Sequence, residues 1–386
     1  MKILYDSQAF DMQTHGGVSR CFTELYKHMP SDVQAIIGIK ETDNVYLHSL
    51  GIPPRGTDYT HFLKKGSFPF KRILYKACRN IQGGHLKQWD RWPQINLFES
   101  ENLLRKGDID VFHPTFFNDY FLRIIGEIPF VLTIHDMIPE LFSNYYSATD
   151  VQILMKRKLV PLATHIITVS EQTKKDVIDI LHVPEEKVTV VYHGSDSSPY
   201  VPTAKSAFDF EYLLYVGERH MYKNFIGFCR DCMPILRRHK DINVVCTGKP
   251  FSNDEIFFLE AFGMRERFIH MFVESQQEFY DLYHHAIAFV YPSAYEGFGL
   301  PILEAYKADC PIMLNRASCF PEIAGEAAVY FEMKKDCSDF EEKFETLYHL
   351  DGNEREELLK KQRERLTLYS WEKSAYNLAN VYKKVC

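Results

Sequence analysis

Short apolar runs alternate with longer amphipathic segments along almost the whole chain, and this rhythm constrains the fold more than any other feature. Parallel strands buried on both faces read as brief continuous apolar runs, and each needs a crossover, usually a helix, to reach its neighbour. KILY, VQAIIGI, DVFHP, FVLTIHD, HIITVS and VTVVYHG supply candidate strands in the first half. YLLYVG, NVVCTG, FIHMF, AIAFVYPS, PIMLN and AAVYF supply a second series. Between the two series lies GSDSSPYVPTAKSA, residues 194–207, rich in Ser and Pro and without helical periodicity, which reads as a linker. The expectation is an α/β chain of two doubly wound, Rossmann-like domains, residues 1–200 and 201–368, facing an interdomain cleft. Residues 369–386 carry Trp371, Ala375, Leu378 and Val381 or Tyr382 at helical spacing, and are expected to form a helix packing back on the N-terminal domain.

With 386 residues, nearly half of them apolar, the chain can build more than one core. A formal net charge of −7 argues against a general nucleic-acid binder. The nine cysteines are scattered and odd in number, as expected of reduced thiols in the cytosol rather than a disulfide framework. MKILYDSQAF reads as a first strand, not a signal peptide, and no apolar stretch approaches the ~18 residues a membrane span requires. Membrane contact is therefore expected to be peripheral, at the inner face of the plasma membrane.

The stretch YPSAYEGFGLPILEA, residues 291–305, concentrates the chemistry. A buried strand runs into a loop holding Glu296 and Gly-Phe-Gly, and Pro301 suits the first turn of the helix that follows. The glycines let backbone N–H groups approach an anion, while Glu296 in the loop and Glu304 one turn into the helix can each accept hydrogen bonds from sugar hydroxyls. Acidic side chains near a helix start can also simply complement its dipole. In YVGERHMYKN, residues 215–224, Arg219 and Lys223 follow another strand and could neutralise a diphosphate without a metal, or be exposed terminal charges. In THGGVSR, Gly16 and Gly17 either admit a phosphate or make an ordinary turn; no G-x-G-x-x-G is present. In TIHDMIPE, His135 could bond a sugar hydroxyl or steady positive charge, or be a structural histidine held by Asp136.

Other signals look empty. Cys229 and Cys232 form a lone C-x-x-C in an amphipathic helix, and His284 and His285 point to different helix faces. Asp108 and Asp110 open a buried strand, so no metal and no cofactor is assigned.

Together, GGVSR, TIHDMIP, TVSEQTKKDVI, VVYHGSD, YVGERHMYKN, YEGFGLPILEA and SWEKSA resemble the retaining glycosyltransferases of the GT-B fold. The likeness is to family four, and within it to the bacterial mannosyltransferase-like members of polysaccharide, lipopolysaccharide and O-antigen assembly. The E-x₇-E with GFGLP is the most specific part. The resemblance implies that Glu304 binds the nucleotide ribose and that Arg219 and Lys223 bind the donor diphosphate. Glu296 and the backbone of Gly297, Phe298, Gly299 and Leu300 would hold the donor sugar and its phosphate, with Gly17 closing from the other domain and His135 beside the sugar. On that footing Glu296, His135, Arg219 and Lys223 are the expected catalytic set. Two departures stand out: His193 replaces the asparagine of the N-G-x-D segment, and Glu218 precedes Arg219.

The implied reaction is hexosyl transfer with retention, from GDP-mannose first and UDP-sugars second, to a glycan or lipid-linked acceptor. Between Lys64 and Arg91 the chain is basic, and Lys71, Arg72, Lys76 and Arg79 surround Ile73, Leu74, Ala77 and Cys78. That pattern suits an anionic membrane surface beside a lipid-linked acceptor, or a solvated helix of an acceptor domain. The rival readings are a GT-B sugar-nucleotide epimerase or hydrolase, and a non-catalytic assembly partner with a vestigial cleft.

Overall fold

The structure is a computed structural model describing residues 1–54, 91–196, 198–219, 221–333 and 338–386, with side chains of the second stretch described from residue 95. Lys71, Arg72, Lys76 and Arg79 lie outside the described residues.

Every expected apolar run contains a strand: β1 (Lys2–Tyr5), β2 (Gln34–Ile37), β3 (Val111–His113), β4 (Val131–Ile134), β5 (His165–Thr168) and β6 (Val188–Val190), then β7 (Glu211–Tyr215), β8 (Ile242–Cys246), β9 (Phe268–His270), β10 (Ala288–Tyr291), β11 (Ile312–Asn315) and β12 (Val329–Phe331). The helices that bear on the site are α1 (Gly17–Lys27), α2 (Glu171–Leu181), α3 (Phe225–Arg238), α4 (Asn253–Ala261), α5 (Gln276–His284), α6 (Leu300–Lys307) and α7 (Trp371–Val385). Among the described residues no helix is long and apolar enough to cross a membrane.

The chain divides into two compact units, the first made of Met1–Thr133, Leu154–Ile167 and Ala375–Cys386. Its parallel sheet has the order β2-β1-β3. Asp108 and Asp110 serve structure here: the Asp110 carboxylate accepts the Lys2 backbone N–H at 2.7 Å, and Asp108 pairs with the Lys2 side chain. A buried polar chain joins the C-terminal helix to the strands. Tyr382 shares a hydrogen bond with Tyr5 at 3.0 Å and another with His113 Nδ1 at 2.6 Å, and His113 Nε2 meets Thr133 at 2.8 Å. Trp371, Ala375, Leu378, Val381 and Tyr382 are all buried, as their spacing in the sequence predicts.

A third sheet, order β4-β5-β6, is drawn from segments through which the division into units runs.

The second unit comprises Ile134–Ile153 and Thr168–Ser374. Its six strands run β12-β11-β10-β7-β8-β9, all parallel. Both faces are covered, so side chains alternate between two cores: Tyr212, Leu214, Phe289 and Tyr291 enter one, while Leu213, Tyr215, Ala288 and Val290 enter the other. That double burial is why the strands read as continuous apolar runs. Cys229 and Cys232 of α3 are fully buried in the second of these cores, as core thiols. The strand order reverses between β7 and β10, and ligands of such sheets sit beyond the carboxyl ends of the strands at this reversal.

Candidate functional site

The two loops leaving that reversal carry most of the residues singled out by sequence. β7 ends at Tyr215 and leads to Arg219 and Lys223; its neighbour β10 ends at Tyr291 and leads to Glu296 and Gly-Phe-Gly. The Ala294 N–H donates to the Tyr222 carbonyl at 2.7 Å, joining the loops. Lys223 Nζ then donates to the Glu296 carboxylate at 2.6 Å, with the side chains only 19% and 11% exposed. An ion pair this shielded from water keeps more of its Coulomb energy than a surface pair.

Gly299 caps α6 at φ +93°, in the left-handed region where a residue with a Cβ is strained. Gly297 is required for a different reason: a Cβ there would lie 1.9 Å from the His135 carbonyl oxygen. The loop's carbonyls are each tied down. Glu296 O accepts the Ser318 hydroxyl at 2.7 Å, Gly297 O accepts the Ser170 hydroxyl at 2.7 Å, and Phe298 O accepts the Cys319 thiol at 3.1 Å. Among the described residues the N–H groups of Gly297, Phe298 and Gly299 donate to none. Uncommitted amides at the start of a helix, with a lysine alongside, make a seat for an anion. Pro301 occupies the first turn, where its missing N–H leaves nothing unpaired. Glu304 sits one turn further on, and its carboxylate faces the Tyr283 hydroxyl of α5 at 3.4 Å.

Arg219 is placed differently from Lys223. Its guanidinium is buried between Phe251 and Phe225, with Nε on Glu255 at 3.0 Å and the Nη atoms on the carbonyls of Thr247 at 3.3 Å, Lys249 at 2.5 Å and Pro250 at 2.8 Å. Glu255 in turn completes the capping box of α4 with Ser252. The fork therefore holds the loop after β8 in shape, and four of its hydrogen-bonding directions are taken by the fold.

His135 contributes a wall to the Gly297 loop through its backbone carbonyl. Its ring is neutral, because burial pushes the imidazole down to about 4. The ring of His193 lies 5.8 Å from that of His135, edge-on to Phe298 at 4.9 Å and tilted over Trp371 at 5.6 Å. The histidine that replaces the usual asparagine thus packs on the middle residue of Gly-Phe-Gly. Gly16 and Gly17 belong to the first unit, where Gly16 precedes α1 in extended conformation and Gln13 Oε1 accepts the Ser19 N–H at 3.0 Å.

Sequence reasoning passed over the partners that shape the loop. Ser318 and Cys319 carried no signal at all. Ser170, Thr173 and Asp176 lie within TVSEQTKKDVI, where Ser-x-x-Thr reads only as a helix cap.

Comparison with known proteins bears on the same segments. The family described as Glycosyl transferases group 1 matches residues 204–365, and the one described as Glycosyltransferase Family 4 matches residues 15–198. The O-antigen chain mannosyltransferase RfbU of Salmonella typhimurium is 25% identical over 203 residues, covering 52% of this chain and 55% of that protein. O-antigen chain mannosyltransferase B of Escherichia coli is 28% identical over 214 residues, covering 52% and 56%. The matched region spans about half the length of these curated relatives. Sucrose-phosphate synthase from Thermosynechococcus elongatus has a TM-score of 0.69 at 15% identity, covering 100% of this chain and 99% of that one. The Anabaena protein HepE, solved with UDP and glucose, has a TM-score of 0.68 at 14% identity, covering 99% of each. At such identities the structural likeness bears on fold alone, and the fold is GT-B.

Proposed function

We propose, from the premise that this chain belongs to the family 4 glycosyltransferases, that it transfers a hexose from a nucleoside-diphosphate sugar to a glycan or lipid-linked acceptor of cell-surface polysaccharide. Mannose is the first choice of sugar, since the two O-antigen relatives are named mannosyltransferases. The observation that carries the reading is the Lys223–Glu296 pair beside the uncommitted amides of Gly297 to Gly299, at the sheet's reversal.

In this reading the donor diphosphate lies against the start of α6, where the amides and Lys223 stabilise the charge that grows as the glycosidic bond breaks. Glu304 takes the ribose hydroxyls and Glu296 the sugar. Glu296 is released to do so as Lys223 turns toward the phosphate. Arg219 acts indirectly, by shaping residues 247–250. Transfer proceeds with retention, by front-face attack of the acceptor assisted by a leaving phosphate oxygen.

A thermal-shift panel of GDP-, UDP-, ADP- and TDP-sugars tests this. One donor at ~100 times its dissociation constant should stabilise the protein by ~2.7 kcal/mol. Lys223→Ala should abolish that shift and lower turnover by about 10²–10³. No shift with any donor would overturn the reading, and release of free sugar and nucleotide without a glycan product would reassign the site to a hydrolase or epimerase.

A further inference from the structure

The Gly297 carbonyl is held by a polar face of α2 that carries no assigned role. Ser170 caps α2, its Oγ accepting the Thr173 N–H at 3.1 Å, and both side chains are fully buried. Ser170 Oγ lies 2.7 Å from the Gly297 oxygen; Thr173 Oγ1 lies 3.3 Å from that oxygen and 3.0 Å from Ser170 Oγ. Each hydroxyl has one proton. The shorter distance assigns the Ser170 proton to Gly297, and the Thr173 proton is left to the same oxygen or to Ser170 Oγ. One turn on, Asp176 accepts the Tyr295 hydroxyl. Ser170, Thr173 and Asp176 fall at three-residue spacing, so one face of α2 grips both ends of the segment around Glu296. Glu322 steadies the helix itself, its carboxylate accepting the N–H groups of Glu171 at 2.7 Å and Gln172 at 3.2 Å.

A trans peptide is planar, with its C=O and N–H pointing in opposite directions. Fixing the Gly297 carbonyl toward α2 therefore fixes the Phe298 N–H away from it. The His135 oxygen closes the remaining side at Gly297. We infer that Ser170 and Thr173 are positioning residues that aim the Phe298 amide at the donor, an inference resting on the reading that this loop receives a nucleotide sugar. Their hydroxyls set direction and touch no reacting atom.

A buried carbonyl needs a donor in any fold, so the test must separate aim from stability. Ser170→Gly keeps most of the helix cap while removing the hydroxyl, Thr173→Val removes the other, and Thr173→Ser restores it. For the double variant Ser170→Gly/Thr173→Val, turnover of the donor found in the panel should fall about 10²-fold in kcat, the scale of a ~1 Å misplacement. Binding of the free nucleoside diphosphate should weaken by less than the loss in kcat, by about tenfold at most, because Lys223 and Glu304 are untouched. The 15N order parameter of the Phe298 amide should fall from about 0.85 to below about 0.6 in the same variant. Thr173→Ser should behave as the wild type. Turnover within threefold of wild type in the double variant, or an unchanged order parameter at Phe298, overturns the inference. Should the wild type turn over no donor, the proposed function fails by itself, and the order parameter still decides the clamp.

Discussion

Helices α1 and α6 both open on glycine, yet the segments that lead into them are held differently. At α1 the Gln13 side chain folds back and takes the Ser19 N–H, and Gly16 adopts φ −178°, open to any residue. At α6 the neighbouring acceptors are engaged elsewhere, Gly299 sits at φ +93°, and the loop's carbonyls are pulled away from its amides by Ser318, Ser170 and Cys319. On the proposed reading, a glycine-bearing helix start receives an anion where surrounding side chains bind the carbonyls and the loop's own amides stay uncommitted.

Paired glycine substitutions put the greatest strain on this contrast. Gly297→Ala drives a methyl into the His135 carbonyl and should lower turnover by about 10²-fold or more. A Cβ on Gly16 meets only the end of the Gln13 side chain, which can swing aside, so Gly16→Ala should stay within about threefold in the same steady-state assay. Equal losses would erase the distinction between the two helix starts.

The His135 wall gives a second, pH-dependent handle. Burial holds its folded pKa down at about 4, below the unfolded value of ~6.5. As pH falls, the unfolded chain takes up this proton first, so the contribution is complete above pH ~6.5 and is lost on the way down to pH ~4. At ~1.4 kcal/mol per pH unit the loss approaches about 3 kcal/mol. Urea midpoints between pH 4 and 8 should fall steeply on the acid side for the wild type and less steeply for His135→Asn. Parallel curves would mean that the ring takes up its proton in the folded protein much as it does in the unfolded chain.

The smallest effect is expected at α1. Gln13→Ala removes the acceptor for Ser19 and should cost about 1 kcal/mol in chemical denaturation, leaving turnover nearly intact. A loss of turnover matching that of Gly297→Ala would bring the α1 amides into the chemistry.

The strands were legible because burial on both faces removes polar positions from them, and a run such as AIAFVYPS needs no partner to be recognised. The turn holding Glu296, Gly-Phe-Gly and Pro301 was legible for a related reason: it joins a strand to a helix through local backbone geometry, which spacing encodes. The partners of Arg219 were not, since they are Glu255 and the carbonyls after β8, roughly thirty residues along the chain. Ser170 and Thr173 were hidden by a double duty, because a cap residue that also reaches Gly297 looks from the sequence like any other cap. His193 was visible only as a departure, and its contact with Phe298 depends on the tertiary fold.

The partnership of Tyr382 with Tyr5 and His113 has a consequence for biosynthesis. The first unit joins β1–β3 to a tyrosine 269 residues beyond His113, with some 200 residues of the second unit emerging between Ile167 and Ala375. At about 5–20 residues per second, the nascent β1–β3 sheet waits roughly 13–54 s for the tyrosine that seals it. Throughout that interval the ribosome carries an unfinished apolar surface, so stalling late in translation should expose this chain to chaperones and proteases far more than stalling early.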